Sequence, residues 1–450
     1  MAGFLAILLT CGVMLPENVV YAAENTEVTV EDDSETNAAE TTEKESTEEK
    51  AETVTEQTES SEAISETERI EETEDDAGIT ADAKSAVDET VSVDKLEEIE
   101  VTNKMKYATS GKCGDNLTWS YGSGVLTISG TGAMYDYPVY DTPSSSQCMP
   151  WYNYKSAITT VNIAEGVTTI GACAFWGCSS LTSVTTPATI STIGFGAFCD
   201  CSGLQQVTIK AGFVGESAFI RCTALRTVTV GSGVTGFGIS AFENCPGLTG
   251  VYISDLAAWC RIDFGGYLSN PLYGAKRLYL NGVELTDLQI PDGVTAISDY
   301  AFGDALSITS VTVPASVQRI GDYAFYQCSN IRTVNLPTSG LNRIGASAFD
   351  SCTNLGQIAI PDSVSYVGNA AFAWTPIGRV NVKQGVIEGH AFEGCGCITD
   401  VALGSGVTFI GDSAFYRCAA LGTVSYGGSR AQWKALQIGS NNDALKSASI

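Results

Sequence analysis

Histidine is nearly missing from this chain: its 450 residues contain one, His390. A single imidazole leaves little general-base chemistry near neutral pH, and no serine or cysteine is matched to a base beside it. His390 stands at a variable position just before Ala391-Phe392 and reads as an exposed or partly covered turn residue. Paired Cys-x-x-Cys hooks are missing too. Cys199 with Cys201, and Cys395 with Cys397, are spaced too closely for a zinc site. No metal and no cofactor are expected. Basic residues are scarce, 24 against 52 acidic ones, so no basic patch invites a nucleic acid. No apolar run is long enough to span a bilayer. The run Phe4–Leu15 has instead the length of a signal-peptide core, and Tyr21-Ala22-Ala23 supplies small residues near a cleavage point. No Lys or Arg precedes it, so one element of that pattern is lacking. A lipid attachment at Cys11 would have to tolerate the bulky Thr10. Residues 1–23 are read as a signal peptide, and the chain as secreted or held at the cell surface.

The formal charge of −28 is concentrated in one place. Between Glu24 and Glu100 there are 29 acidic and 5 basic residues and no Phe, Trp, Tyr or Cys. Such a segment cannot bury enough apolar surface to offset its ordering entropy. Residues 24–104 are read as a disordered acidic linker, a solvated spacer. A cation-binding tail is the sharper alternative, but no spaced ligand loop supports it.

What the rest of the chain has in abundance is one phrase. Ala-Phe recurs at Ala174, Ala197, Ala218, Ala241, Ala301, Ala324, Ala348, Ala371, Ala391 and Ala414, with spacings of 23, 21, 23, 60, 23, 24, 23, 20 and 23. One clean copy, Ile308–Ile331, is ITSVTVPASVQRIGDYAFYQCSNI. Val311 and Val313 alternate with Ser310 and Thr312, a strand with one face buried. Pro314 cannot donate to a ladder and ends it. Val317 and Ile320 begin a second extended piece, and Gly321 permits a turn. Ala324-Phe325 and Cys328 fit one helical or 3-10 turn that presses the ring inward. One such unit cannot bury its own apolar face, so the copies must stack into a solenoid, Phe over Phe and Cys over Cys.

The stretches VTTIGACAFWGCSSLTSV (167–184), VQRIGDYAFYQCSNIRTV (317–334) and VTFIGDSAFYRCAALGTV (407–424) resemble the BspA-like, or Treponema pallidum-type, leucine-rich repeat family. The resemblance covers roughly residues 160–425. It implies a leucine-rich repeat solenoid and a surface protein, since proteins of that kind are implicated in attachment to host matrix and other cells. Four copies depart from the pattern: Phe213-Val214-Gly215 and 386–389 are short, and Asp304-Ala305 and Ala373-Trp374-Thr375 lack the cysteine. Local irregularity is expected there.

The solenoid is placed at 159–425, preceded by an N-terminal β cap over 105–158 whose segment Cys113–Met134 reads as a hairpin. The copies at Phe242 and Phe302 are separated by an insertion about 255–288, where Asn281-Gly282 signals another hairpin. The C-terminal cap-like segment 426–450 echoes that insertion: Trp433, Ile438, Gly439, Asn442 and Leu445 follow the order of Trp259, Ile262, Gly265, Asn270 and Leu272.

Candidate binding residues follow from exposure of aromatic and polar groups. Trp259, Phe264, Tyr267 and Tyr273 of the insertion are read as an exposed aromatic ligand site, with a purely structural insertion as the plainer reading. The outward strand positions form a Thr-rich stripe that includes Tyr252, Arg379 and Asn381 and lacks the anchors of strong protein interfaces. The repeat cysteines are read as buried thiols, because ladder side chains point in parallel and oppose the disulfide torsion. Cys113 with Cys148 is the candidate disulfide. The expectation is a monomeric, non-catalytic protein that binds an extracellular protein or glycan. A passive envelope spacer, and then a polymer-processing enzyme with its site in the insertion, are the alternatives.

Overall fold

The computed structural model describes residues 107–138 and 148–447. The signal peptide and the acidic linker lie outside the described residues. Each repeat winds one coil of a β-solenoid. In the Ile308–Ile331 copy, strand Ser310–Thr312 buries Val311, the chain turns after Pro314, and Arg319–Ile320 forms the second extended piece. The strands pair in parallel and in register. Val184 lies beside Val207, Val207 beside Val228, and Val228 beside Val251, so one apolar column runs through successive coils.

The Ala-Phe segment is a run of i→i+3 turns, as in Ala174 N–H to Gly171 O and Cys178 N–H to Phe175 O. It does not continue as a helix, because the residue before Ala and the second residue after Phe are left-handed. Tyr323 and Gln327 (φ 57° and 56°) flank Ala324-Phe325 in this way. The alternation turns every second N–H toward the next coil. Phe175 N–H donates to Ala197 O at 2.7 Å, Phe198 to Ala218 at 2.8 Å, and Phe325 to Ala348 at 2.8 Å. A main-chain ladder thus joins the coils on the turn side as well as on the strand side.

Beneath that ladder the rings stack. Phe175, Phe198, Phe219 and Phe242 follow one another at centroid distances of 5.0, 5.1 and 5.3 Å. Phe302 to Phe415 repeat the arrangement at 5.1–5.5 Å. Full burial of each ring contributes roughly 1.5–3 kcal/mol. The repeat thiols have partners of their own. Cys201 donates to Phe175 O, Cys328 to Phe302 O and Cys395 to Phe372 O, one coil back in each case, at 2.9–3.1 Å. Burial pushes the Cys178 and Cys418 thiols up to about 12 and that of Cys395 up to about 11.

The two copies that lack the cysteine keep the ladder regular, against the sequence expectation, while the two short copies are irregular as expected. Asp304 N–H still donates to Tyr326 O, and Trp374 N–H to Glu393 O, both at 2.8 Å. The two short copies omit the turn between the extended pieces. Each becomes one 9-residue strand, Gln206–Val214 and Arg379–Ile387, beside an 11-residue partner, with bulges absorbing the mismatch.

The first coil is closed by the N-terminal hairpin Leu117–Gly122 and Val125–Gly130, whose Ser123-Gly124 turn has both φ positive. Its second strand pairs in parallel with Thr160–Ile163 and covers the sheet edge. Trp151 stacks on Phe175 at 5.7 Å, and its indole donates to Ala174 O at 2.8 Å. That is the N–H an earlier coil would have supplied. The proposed Cys113–Cys148 disulfide is not made. Cys113 is a thiol sunk in the cap core, pushed up to about 11 by burial, whereas Cys148 lies half-buried at the edge of the undescribed residues 139–147.

Candidate binding face

The insertion is itself a coil in which the Ala-Phe turn has been replaced. Asp255 caps the helix Leu256–Trp259 by accepting from Ala258 N–H at 2.9 Å. Asp263–Phe264 pairs with Gly236–Phe237, and Leu278–Leu280 with Val251–Ile253, so both ladders continue through it. The helix Leu272–Ala275 fills the place of the turn. The hairpin at Asn281-Gly282 forms as expected, joining Leu278–Leu280 to Val283–Glu284.

Two of the four aromatic candidates are core, which corrects the sequence reading. Trp259 is 1% exposed and Phe264 4%. Phe264 stacks on Phe237 at 5.7 Å and meets Trp259 edge-on at 5.3 Å. The Trp259 indole donates to Ala301 O at 2.9 Å. It begins the second stack as Trp151 begins the first, and the coil at Ala301 covers it.

Of the other two, Tyr273 lies at the surface and Tyr267 is half-buried. Tyr273 is 39% exposed and packs edge-on against Tyr267 at 4.7 Å. Tyr267 touches Tyr326, Tyr326 touches Tyr323, and Tyr323 stacks on Tyr300, all at 5.1–5.6 Å. Five tyrosines thus form a continuous shelf across the junction. Buried Asp304 anchors it by accepting from the Tyr267 hydroxyl and pairing with Lys276 at 2.7 Å, while Lys276 sits over the Tyr273 ring at 4.9 Å. Burial, then the bond to Asp304, holds the Tyr267 hydroxyl protonated far above the usual phenol range.

Beside the shelf, between the helix Leu272–Ala275 and the turns of the first stack, lies a cleft of about 640 Å³. Asp200, Ser202, Arg221, Thr223, Phe242, Asn244 and Tyr273 are among its lining residues. Arg221 grips Asp200 with two bonds of 2.6 Å. Burial opposes the Asp200 carboxylate, but Arg221 and Trp176 outweigh it and hold the group below its ordinary value. The wall joins the Asp200–Arg221 ion pair, Ser202, Thr223 and Asn244 to Phe242, Pro246 and Tyr273 and is mostly apolar, which suits a ligand that is flat and apolar with a few hydrogen-bonding groups.

A family model, the BspA type leucine rich repeat region, matches residues 151–259, 275–395 and 380–432 in 6 copies, more than half of the chain. The chain belongs to the BspA-type leucine-rich repeat family. Solved structures similar to it include a leucine-rich repeat protein from Eubacterium ventriosum, 24% identical, over 70% of this chain and 84% of that one, with a TM-score of 0.43. A leucine rich cell surface protein from Faecalibacterium prausnitzii is 23% identical over 74% and 98%, with a TM-score of 0.33. The pneumococcal vaccine antigen PcpA is 14% identical over 74% and 99%, with a TM-score of 0.42. No curated protein matches the chain. BspA-type repeat proteins are generally without enzymatic activity, and membership is consistent with a binding role.

In this BspA-type solenoid the remaining candidates lie on the strand face, apart from the cleft. Tyr252 stacks on Tyr279 at 4.6 Å, Arg379 pairs with Asp400 at 3.5 Å, and Asn381 is exposed. Sequence reasoning missed Asp200, Arg221 and the Tyr300–Tyr323–Tyr326 run. The signal was present, since Tyr300 and Tyr323 hold the same slot in successive copies. His390 is exposed and bonds Glu393 at 2.5 Å. Among the described residues no group of three His, Cys, Asp or Glu could hold a metal, and no helix is long and apolar enough to cross a membrane.

Proposed function

We propose that this protein is a secreted or cell-surface, non-catalytic binding protein, whose solenoid is presented on the acidic linker and contacts an extracellular protein or glycan at the junction of its two stacks. The tyrosine shelf carries the reading. Touching, largely half-buried aromatic rings beside a mostly apolar cleft with a few polar groups are what a ligand with alternating flat and hydrogen-bonding groups requires. The strand stripe with Tyr252, Arg379 and Asn381 supplies weaker, multivalent contact. The signal-like run at Phe4–Leu15 and the family support surface presentation. The test is retention on immobilised matrix proteins and on a glycan array by the full chain and by Tyr267→Ala and Tyr273→Ala. Binding lost in both variants supports the junction. Binding kept in both moves the function to the strand stripe. No retention by any surface contradicts the proposal and favours a passive spacer.

A further inference from the structure

The ladder on the turn side ends in two ways. In every inner coil the residue before Ala, the Phe, and the second residue after it donate forward. Ser217, Phe219 and Arg221 give their N–H to Ile239, Ala241 and Glu243 O at 2.9 Å. At the far end, Ser413 N–H finds Ser440 O at 2.8 Å, and Phe415 N–H finds Asn442 Oδ1 at 2.9 Å. That closure covers two of the three donors, since Arg417 N–H makes no hydrogen bond to any described residue, whereas the end of the first stack closes none of its three. The main-chain N–H groups of Phe242 and Asn244 make no hydrogen bond to any described residue. Phe242 is only 3% exposed, so its donor is cut off from most solvent, and both residues line the cleft. A buried main-chain donor without an acceptor is rare and costs about 1–3 kcal/mol.

We propose that this open end is a docking site for an extended polypeptide segment, which supplies two backbone carbonyls two residues apart to Phe242 and Asn244. The proposal rests on the binding function above and names its ligand class. The occupant follows from the molecule itself. Wherever this ladder is filled by main chain, alternate carbonyls of a chain segment fill it, as Ala241 O and Glu243 O do one coil earlier. The cleft adds Tyr273 on one side and the Ser202 and Thr223 hydroxyl residues on the other. Recognition of backbone by an open ladder edge tolerates many sequences, which suits adhesion.

The test pans a displayed random heptapeptide library on the full chain, with Thr223→Trp, which fills the cleft, as counter-selection. A second variant replaces residues 265–270 by the Gly-Ser-Asn-Asn of 439–442, so that an asparagine closes Phe242. Selected synthetic peptides are expected to bind with micromolar Kd, and at least about tenfold more weakly to either variant. They are expected to slow amide exchange at Phe242 and Asn244 by at least about tenfold, with Phe219 unchanged. Peptides that bind without slowing those amides overturn the proposal and leave the binding function standing. So does protection of the same amides by chitooligosaccharide with no peptide selected, which makes the ligand a glycan. Absence of any peptide, together with no retention on matrix or glycan surfaces, overturns both.

Discussion

The module after Phe242 and the module after Phe415 begin alike and finish differently. Both follow an 11-residue strand, and both send a glycine N–H back to the end of that strand at 2.8 Å, Gly265 to Phe237 and Gly439 to Ile410. From there the inner module runs Gly-Tyr-Leu-Ser-Asn and the outer one Ser-Asn-Asn. The two extra residues make room for the 3-10 turn Tyr267–Ser269, which carries Asn270 forward. Asn270 Nδ2 donates to Tyr300 O at 2.8 Å in the coil ahead, whereas Asn442 closes the coil behind. One short insertion therefore converts a cap into a coupling. It leaves the first stack open at its end, sets half-buried Tyr267 against Tyr273 and starts a second stack on Trp259.

The sharpest break in the comparison is at the tryptophans. Trp259→Ala removes a buried indole and the shorter of the two hydrogen bonds to Ala301 O, leaving the one from Asn270 Nδ2, so the second stack is expected to lose about 3–5 kcal/mol, read as a separated early transition in urea. Trp433, half-buried against Tyr426 at 5.4 Å, is expected to cost under about 1.5 kcal/mol when truncated. Equal losses at the two positions would show that the inner module does not couple the stacks.

Alkali tests what the two stacks share. Thiols raised by burial stabilise the fold fully below their unfolded value near 9 and lose that contribution as pH rises through the folded value. With Cys178 and Cys418 pushed up to about 12, each is expected to withdraw on the order of 2 kcal/mol by about pH 10.5. Melting temperature should hold to about pH 8.5 and then fall, with both stacks affected. A flat profile to pH 11 contradicts the buried thiol ladder.

Smaller effects refine the end caps. Asn442→Ala orphans Phe415 N–H and is expected to cost about 1–3 kcal/mol by urea titration, with fraying confined to the last coil. Cys328→Ala, which removes a thiol bonded to Phe302 O, is expected to cost about 1 kcal/mol. Tyr273→Ala should change stability by under about 0.5 kcal/mol while weakening ligand binding.

The coil was legible because its signals are local and repeated. Pro314 ends a strand, Asn281-Gly282 turns a hairpin, and alternating valines show which face is buried. The left-handed turn was not legible. Tyr323, Gln327, Trp374 and Arg417 adopt positive φ with no glycine to announce it, and Ala-Phe-x-x-Cys is spaced like a helical turn. Nor was the burial of Trp259 legible, since the carbonyl that fixes it lies 42 residues further on. The echo of the insertion at the C-terminus was read correctly in order, but Ile438 answers to Phe264 and not to Ile262. Both pair with the end of the preceding long strand, Ile438 beside Ile410 and Phe264 beside Phe237.

Amide hydrogen exchange of the unliganded chain compares the two ends directly. Phe415 N–H, closed by Asn442, should be protected nearly as well as Phe219 N–H inside the first stack. Phe242 N–H should exchange at least about a hundredfold faster than either. Equal protection at Phe242 and Phe415 would mean that the first stack is closed, and the difference between the two modules would carry no function.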